Sequence, residues 1–450
     1  MASGVFLLRG FNDIDYVVPI LDRLLRDRPF EMRAFFVDPF YDERGDTRLE
    51  HLRSRYGFTV EWLYEDAAGT ATALFRLIRA FVRSPLRRTS VGRRVNALLT
   101  MLWGRYFDRV DVARLVDRLA GSSAIRFVAI DHVANRLIER VVRELRTRGA
   151  KCVMVPGGTV MITNMMWHPT HVSRADARPG KPPQFADVIL FGTANERDRH
   201  DLRALPEHHV IGIPRYCDEW MRISQTIRES NASGFLNTGR RDLNRRIGDG
   251  FDRASRYPAR LKIVYMATFP DAGLWVDEMV RTVRLICDFD DVVVVTKFKP
   301  TNQTPRMTEL FAALMERPNS FVVAGNVSSS ALINWADVVL INVSSIALEA
   351  IQRRKPVWCL EYLQSVESVF ARFNVGLRLR TRDDVVHAVE TMLARGPGWS
   401  DPAGDVERFK REFIHASLPD GDVLGAAARI LGVLADPTRS RTAPLEHQPA

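Results

Sequence analysis

The residues that most clearly suggest chemistry are a serine pair, Ser344 and Ser345, at the start of a predicted helix, with Glu349 one turn further on. The pair follows the buried strand-like run DVVLIN, residues 337–342. A helix start presents free backbone N–H groups and the positive end of the helix dipole, which together bind anions. The spacing predicts a pyrophosphate at the serines and a ribose diol at Glu349. The alternative is a plain helix cap followed by an acid that complements the dipole.

A second candidate for phosphate binding is the lysine pair Lys297 and Lys299, which ends the run DVVVVTKFKP, residues 291–300. Alternate residues of an extended chain point to the same side, so both ammonium groups can reach one phosphate. Two solvated lysines at a strand end are the alternative. Lys299, which precedes Pro300, is the better candidate of the two.

The stretch around the serine pair resembles the nucleotide-binding half of the GT-B class, the glycosyltransferases with two Rossmann-like domains. The shared residues are Ala336-Asp337, Ser344-Ser345, Glu349-Ala350 and Lys355-Pro356-Val357. CDP-alcohol phosphotransferases and non-hydrolysing UDP-GlcNAc 2-epimerases are relatives of that class. The epimerases usually have a Ser-Gly-Gly type of turn where this chain has Val343-Ser344-Ser345, so the resemblance favours a transferase. It also implies a lysine or histidine before a proline, as at Lys299, and no catalytic metal.

The amino-terminal half offers two candidates for a catalytic base in loops that follow strand-like runs. Asp13 follows the first run, and His132 follows the run AIRFVAID, residues 124–131. The resemblance implies that an inverting transferase takes from this half the base that deprotonates its acceptor. Histidine titrates near neutral pH and needs no large pKa shift for this role. Asp13 equally fits a helix cap, and His132 equally fits a surface position.

Three further residues are predicted to contact the donor. Gly157 and Gly158 end the run at residues 151–158 and let the backbone approach a ligand closely. Similar polysaccharide transferases carry Pro-His-Gly where this chain has Pro156-Gly157-Gly158, so any role of that histidine is not carried over. Arg215, at the end of the run HVIGIPR, either meets the donor phosphate or forms an ion pair at a domain boundary.

The sequence predicts neither a metal site nor a cofactor other than the nucleotide-sugar, which is a substrate. The four cysteines, Cys152, Cys217, Cys287 and Cys359, lie far apart and form no CxxC pair. This spacing indicates buried single thiols in a reducing compartment rather than a zinc site. His168 and His171 have no evident third ligand beside them.

The elements that position these residues are β-branched apolar runs, which alternate with helix-like segments along most of the 450 residues. The runs are residues 4–10, 32–38, 58–64, 124–131, 151–158, 187–192 and 209–215, then 261–268, 291–300, 320–325, 337–342 and 356–362. Continuously apolar runs indicate parallel strands covered by helices on both faces, so the fold class is α/β. Ligands of such sheets bind at the carboxyl ends of the strands.

The resemblance makes this fold GT-B-like, with two Rossmann-like domains whose parallel sheets face each other across a cleft. The predicted division is an acceptor domain at 1–215, a linker or insertion at 216–259, a nucleotide-donor domain at 260–400, carboxy-terminal helices at 401–435 and a disordered tail at 436–450.

The positive charge of the chain is concentrated in one segment. The net charge is +10, and residues 76–118 contain eleven arginines against three acids, which gives 11 − 3 = +8. Segment 75–118 therefore predicts one anionic partner surface. One reading is an amphipathic element on anionic lipid, with Trp103 and Phe107 at the interface; the other is a core helix flanked by solvated arginines. No zinc spacing or recognition helix indicates nucleic-acid binding.

We therefore expect a metal-independent glycosyltransferase that moves a sugar from a nucleotide-activated donor to a surface polysaccharide or glycolipid. The alternatives are a CDP-glycerol or CDP-ribitol type of phosphotransferase, a sugar-nucleotide 2-epimerase and a non-catalytic glycan-binding scaffold. No apolar run approaches the ~20 residues that span a bilayer, and the first residues lack the features of a secretory signal. The expected location is cytoplasmic, either free or peripheral on the inner face of the membrane.

Overall fold

The computed structural model describes residues 2–65, 70–106, 110–121, 123–131, 136–159, 161–166, 185–227, 241–268, 274–298, 305–323, 327–364, 366–395, 403–436 and 438. Its strands, in chain order, are β1 (Ala2–Leu8), β2 (Glu31–Phe36), β3 (Glu61–Trp62), β4 (Ala124–Ile130), β5 (Lys151–Met154), β6 (Ile162–Met166), β7 (Val188–Phe191), β8 (Glu207–Val210), β9 (Leu261–Ala267), β10 (Val292–Phe298), β11 (Ser320–Val323), β12 (Val338–Ile341), β13 (Val357–Leu360), β14 (Val366–Ser368) and β15 (Leu377–Leu379).

The α-helices, in the same order, are α1 (Phe11–Asp27), α2 (Thr47–Tyr56), α3 (Thr70–Arg83), α4 (Ser90–Tyr106), α5 (Val112–Ala120), α6 (Arg136–Thr147), α7 (Ala194–Arg197), α8 (Asp218–Thr226), α9 (Arg241–Gly248), α10 (Gly250–Ser255), α11 (Val276–Cys287), α12 (Pro305–Leu314), α13 (Ser329–Trp335), α14 (Ile346–Gln352), α15 (Phe370–Phe373), α16 (Arg382–Arg395), α17 (Ala403–Phe409) and α18 (Val423–Ala435). Short 3₁₀ segments connect several of them, and Lys410–Ile414 is a π-helical turn. Every strand-like run of the sequence contains or overlaps a strand.

The chain forms two compact units. Unit 1 comprises Met1–Thr159, Gly180–Arg228 and Phe413–Ala450, and unit 2 comprises Val160–Pro179 and Glu229–Glu412. The sheet of unit 1 has the order β3-β2-β1-β4-β5-β7-β8, and the larger sheet of unit 2 has the order β11-β10-β9-β12-β13-β15. All strand pairs in these two sheets are parallel. Strands β6 and β14 form a separate antiparallel pair. Two Rossmann-like parallel sheets were predicted, and this α/β class is confirmed.

Burial on both faces explains why the strands have continuous apolar sequences. All seven residues of β10, Val292–Phe298, are buried, because helices cover each side of a parallel sheet. Helix α6 buries Leu137, Ile138, Val141, Val142 and Leu145. This spacing places the five side chains on one face of the helix. Each such side chain contributes about 1.5–3 kcal/mol when it is removed from water.

The chain returns to unit 1 at its carboxy-terminal end, which the predicted division did not anticipate. Helix α18 places Val423, Leu424 and Leu431 in the core of unit 1. Gly212 has a φ of +86°, and a Cβ there would lie 2.7 Å from the carbonyl oxygen of Ile414. Glycine is therefore required where the returning chain crosses the end of β8. The predicted tail at 436–450 lies outside the described residues, except for 436 and 438.

Residues 216–259, predicted as a linker or insertion, contain the helices α8, α9 and α10 in their described part. Trp220 of α8 lies in the core of unit 1, whereas Leu243 and Ile247 of α9 lie in the core of unit 2. Widely spaced apolar residues among many polar ones are typical of short amphipathic helices. This pattern was obscured by the surrounding Gly, Asn and Arg residues.

Trp103, which one of the two readings places at a membrane interface, is buried, as the core-helix reading predicts for this residue. Its ring contacts Tyr64 edge-on, with centroids 4.9 Å apart, and Leu99 of the same helix is also in the core. The helical period places residues 99 and 103 on one face of α4, and this face packs into the core of unit 1. Phe107, the other predicted interface residue, lies outside the described residues.

Candidate functional site

The strand order of each unit identifies where a ligand is expected. In unit 1 the first strand, β1, has β2 on one side and β4 on the other, so the chain order reverses between β1 and β4. In unit 2 the same reversal falls between β9 and β12. In open α/β sheets ligands bind at this topological switch point, beyond the carboxyl ends of the strands.

At the switch point of unit 1, an arginine and two aspartates meet. Arg9 and Asp13 follow β1, and Asp131 follows β4. The guanidinium of Arg9 donates to Asp131 over 2.5 Å, and its Nε lies 3.6 Å from the carboxylate of Asp13. The backbone N–H of Arg9 also donates to Asp13, over 2.6 Å. Both aspartates are buried. We call Arg9, Asp13 and Asp131 the acid pair with its arginine.

The environment of Asp13 favours its protonated form. The pKa of Asp13 is raised to about 8. Burial is the main cause, a hydrogen bond to Asp131 and the charge of Asp131 add to it, and Arg9 opposes it. A buried carboxyl group beside a second carboxyl group ionises with difficulty, so Asp13 largely retains its proton at neutral pH. A group whose pKa lies near the working pH can both donate and accept a proton, which acid–base catalysis requires.

Asp13 also has a local structural role. Helix α1 begins after Gly10, which has no side chain to cap it. Asp13, in the first turn, accepts the backbone N–H of Arg9 instead. This bond connects the end of β1 to the start of α1 and holds the carboxyl group at the edge of the sheet.

Gly157 allows the loop after β5 to approach the acid pair. A Cβ at Gly157 would lie 2.7 Å from Oδ2 of Asp131, whereas a Cβ at Gly158 would meet nothing within 4 Å. The close approach predicted for Gly157 is therefore to the Asp131 carboxylate. The predicted donor contacts of both glycines stay predictions.

Arg215 is paired within unit 1. Its guanidinium contacts Asp15 of α1 over 2.5 Å, and Asp15 also pairs with Arg48. Nearby, the Tyr16 hydroxyl lies 2.8 Å from the Thr159 hydroxyl, and burial raises the pKa of Tyr16 to about 12. Two roles were predicted for Arg215, and the ion pair is present. Arg215 and Asp15 both belong to unit 1, however, so the pair does not lie at a domain boundary. Contact with a donor phosphate stays a prediction.

At the switch point of unit 2, Asn342 connects the ends of β9 and β12. Its side-chain oxygen accepts the backbone N–H of Thr268 over 3.2 Å, and its side-chain nitrogen donates to the Thr268 hydroxyl. Cys359 donates to the Asn342 carbonyl over 3.1 Å. These bonds hold the turn that carries Val343, Ser344 and Ser345.

The serine pair lies at the start of α14, as predicted. Both serines are half-buried, and Ser345, at the N-cap position, makes no side-chain capping hydrogen bond. Helix capping, the alternative to phosphate binding, therefore does not explain why a hydroxyl is present at position 345. Its position beside the turn held by Asn342 is where a ligand of this sheet would lie.

Lys297 and Glu349, two further predicted donor residues of unit 2, have protein partners. The Lys297 ammonium, buried within β10, donates to the Val327 carbonyl. Glu349 accepts from Ser330 and pairs with Arg353 over 2.9 Å, both at Oε1. Glu349 thus joins α13 to α14, and a ribose contact stays a prediction for its other carboxylate oxygen.

Lys299 and His132 lie outside the described residues, as do His168 and His171. Among the described residues no group of three or more His, Cys, Asp or Glu side chains is arranged to hold a metal ion. The four cysteines are buried and unpaired.

The sequence reasoning missed the partners of Asp13. Asp131 was noted only as the neighbour of His132, and no role was given to Arg9, Thr268 or Asn342. The available signal was a polar residue directly after a strand. That signal becomes specific only when the strand order shows which strand ends are neighbours.

Comparison with solved structures finds this fold in a UDP-GlcNAc 2-epimerase, in MnaA and in a UDP-glucosyltransferase. The chain aligns over 95% of its length with 98% of the UDP-GlcNAc 2-epimerase from Neisseria meningitidis bound to UDP-GlcNAc, at 10% identity and a TM-score of 0.52. It aligns over 98% of its length with 97% of MnaA from S. aureus in a co-structure with UDP, at 11% identity and a TM-score of 0.52. It aligns over 97% of its length with 98% of a UDP-glucosyltransferase from Polygonum tinctorium, at 10% identity and a TM-score of 0.50.

No protein-family model matches the chain, and no curated protein sequence matches it. The structural likeness, together with the two Rossmann-like sheets, shows that the chain has the GT-B fold. At these identities the likeness establishes the fold alone.

Proposed function

We propose that this protein is a metal-independent glycosyltransferase that uses a nucleotide-activated sugar as donor. The observation that carries the proposal is the acid pair with its arginine at the switch point of unit 1. A fold shared with nucleotide-sugar enzymes supports the donor class. The site supports the proposal more directly than the fold does, because one fold hosts many activities.

In the proposed reaction, the ionised form of Asp13 accepts the proton of an acceptor hydroxyl, since a pKa near the working pH suits a general base. The acceptor oxygen forms a bond to the anomeric carbon, and the bond from that carbon to the nucleotide phosphate breaks with its electron pair on the phosphate oxygen. Arg9 holds Asp131 in place through its guanidinium. His132 stays a second candidate for the base.

We propose that the leaving nucleotide binds at the switch point of unit 2. The backbone N–H groups and hydroxyls of Ser344 and Ser345 are suited to receive the phosphates, with Lys297, Lys299 and Arg215 as candidate cations. Fixed donors of this kind stabilise charge that develops on a leaving group. We propose a surface polysaccharide or glycolipid as the acceptor and a cytoplasmic location.

A second candidate function, sugar-nucleotide 2-epimerisation, is favoured by one specific feature. The acid pair places two carboxyl groups side by side, and a 2-epimerase must remove a proton from a sugar carbon and return one on the other face. The likeness to UDP-GlcNAc 2-epimerases agrees with this reading. The turn Val343-Ser344-Ser345 remains the feature that favours transfer.

One assay separates these functions. The protein is incubated with UDP-, GDP-, CMP- and CDP-linked donors, with and without glycan acceptors, and nucleotide release and sugar interconversion are both measured. Nucleotide release that depends on an acceptor supports transfer, whereas interconversion at C2 supports epimerisation. CMP release from CDP-glycerol would indicate a phosphotransferase. Absence of nucleotide binding, measured by thermal shift, would overturn the enzyme proposal and indicate a scaffold.

A further inference from the structure

Exposed apolar side chains are concentrated in the arginine-rich segment of unit 1. Among the described residues, six large hydrophobic side chains are exposed, and five of them lie between residues 77 and 101: Leu77 (56%), Leu86 (42%), Val91 (57%), Leu98 (51%) and Met101 (46%). The sixth is Leu202. Single exposed apolar residues are ordinary, but a concentration of them marks an interaction surface.

Helix α4 arranges three of these residues in one stripe. Along the helix, Val91, Leu98 and Met101 are interspersed with the exposed Arg94 and Arg105, and neighbouring members are three or four residues apart. At 100° per residue these five positions lie within about 80° of the helix circumference. The opposite face of α4 packs into the core through Leu99 and Trp103. We call these five exposed residues the α4 stripe.

The charge around the α4 stripe is of one sign. Residues 67–107 contain eight arginines and no acid. Arg79 and Arg83 share one carboxylate, that of Glu43, but within the described part of the chain Arg94 and Arg105 form no ion pair. Among the described residues, the stripe therefore presents apolar side chains flanked by guanidinium groups that no carboxylate contacts.

We propose that the α4 stripe docks this protein on the surface of an anionic lipid bilayer. The apolar side chains enter the boundary between headgroups and acyl chains, and the guanidinium groups bind lipid phosphates. Among the described residues no helix could cross a membrane, so the contact is with the surface. The proposal stands independently of the catalytic function.

Two other occupants fit the stripe less well. Nucleic acid binds arginines but offers no apolar phase for a row of Val, Leu and Met side chains. A second copy packed about a two-fold axis would place the same arginines against each other, and residues 67–107 contain no acid to neutralise them. An anionic bilayer supplies both the apolar phase and the negative charge.

The test is sedimentation of the full chain with phosphatidylcholine vesicles, with and without phosphatidylglycerol. The wild type is expected to bind the vesicles that contain phosphatidylglycerol. Leu98→Ser should lower the partition coefficient by about fivefold, since a half-exposed leucine no longer enters the bilayer. Its matched control is Leu202→Ser, which changes a leucine that is 48% exposed and should bind like the wild type.

The electrostatic contribution is tested with the double variant Arg94→Gln/Arg105→Gln. About fivefold is lost for each arginine near an anionic surface, so the partition coefficient should fall about 30-fold. The control is Arg256→Gln/Arg395→Gln, which removes two exposed arginines of unit 2 and should bind like the wild type. Circular dichroism checks that each variant is folded.

Equal sedimentation of Leu98→Ser and the wild type would overturn the proposal, and so would equal binding to neutral and anionic vesicles. A wild-type dimer that Leu98→Ser converts to a monomer would show that a second copy covers the stripe instead. Salt-sensitive RNA binding without vesicle binding would also contradict it. None of these measurements uses a nucleotide-sugar, so failure of the catalytic proposal is detected separately.

Discussion

Replacing Asp13 by asparagine separates the proposed proton transfer from the structural role of this residue. Asparagine has the same shape, its oxygen can accept the backbone N–H of Arg9 as Asp13 does, and its nitrogen can donate to Asp131. The packing is therefore retained while the titratable group is lost. We expect Asp13→Asn to fold normally and to lose about 100- to 10,000-fold in turnover, the usual contribution of a general acid or base.

The same variant changes how stability depends on pH. The folded pKa of Asp13 is raised to about 8 from an ordinary value of 3.8, so between those values the folded chain retains a proton that the unfolded chain has lost. The free energy of unfolding of the wild type therefore falls as pH rises, by about 1.4 kcal/mol per pH unit for this one proton. Asp13→Asn lacks this contribution, so its stability relative to the wild type should increase up to about pH 8 and then level off.

The measurement is urea unfolding of the wild type and Asp13→Asn at several values between pH 5 and pH 9. Asp198→Asn is the control, because Asp198 is exposed and contacts only its neighbour Arg197 among the ion pairs of the described residues. Burial raises the pKa of Glu196 to about 7, but that contribution is common to all three proteins and cancels in the difference. Parallel curves for Asp13→Asn and the wild type would refute the idea that the acid pair retains a proton.

Two further predictions concern the loops at the switch points. Ser344→Ala/Ser345→Ala should weaken nucleotide binding at least about tenfold, because charge-assisted bonds to phosphate are lost. The melting temperature should change little, because the Ser345 side chain makes no capping hydrogen bond. Unchanged affinity by calorimetry would exclude the phosphate assignment. Gly157→Ala should displace the Asp131 carboxylate, cost about 1–3 kcal/mol in stability and reduce turnover. Gly158→Ala, with open space around it, should behave like the wild type, and equal effects of the two glycine variants would contradict this account.

The sheets were predictable because buried parallel strands leave a strong local pattern. Runs such as residues 291–300 are apolar on both faces, and only a sheet covered on both sides requires this. The predicted positions of Asp13 and Ser344 at strand ends followed from the same pattern. Strands such as β15, with three residues, are too short to produce a periodic signal.

The interaction of Asp13 with Asp131 could not be predicted, because it depends on strand order. More than a hundred residues separate β1 from β4, and hydrogen bonding between the two strands is a property of the whole sheet. The two readings of Trp103, in the core or at a membrane interface, stayed open for a related reason. An apolar segment such as residues 97–103 has two faces, and only the packed structure shows which face enters the core. The return of α18 to unit 1 likewise depends on contacts distant in sequence.

The most direct test of the central claim is a crystal structure of the protein with the nucleotide, among UDP, GDP, CDP and CMP, that raises its melting temperature most. We expect the phosphate groups to lie within hydrogen-bonding distance of Ser344 or Ser345, beside the turn that Asn342 ties to Thr268. Binding of that nucleotide at a position remote from the turn, or the absence of binding by all four at saturating concentration, would contradict the claim.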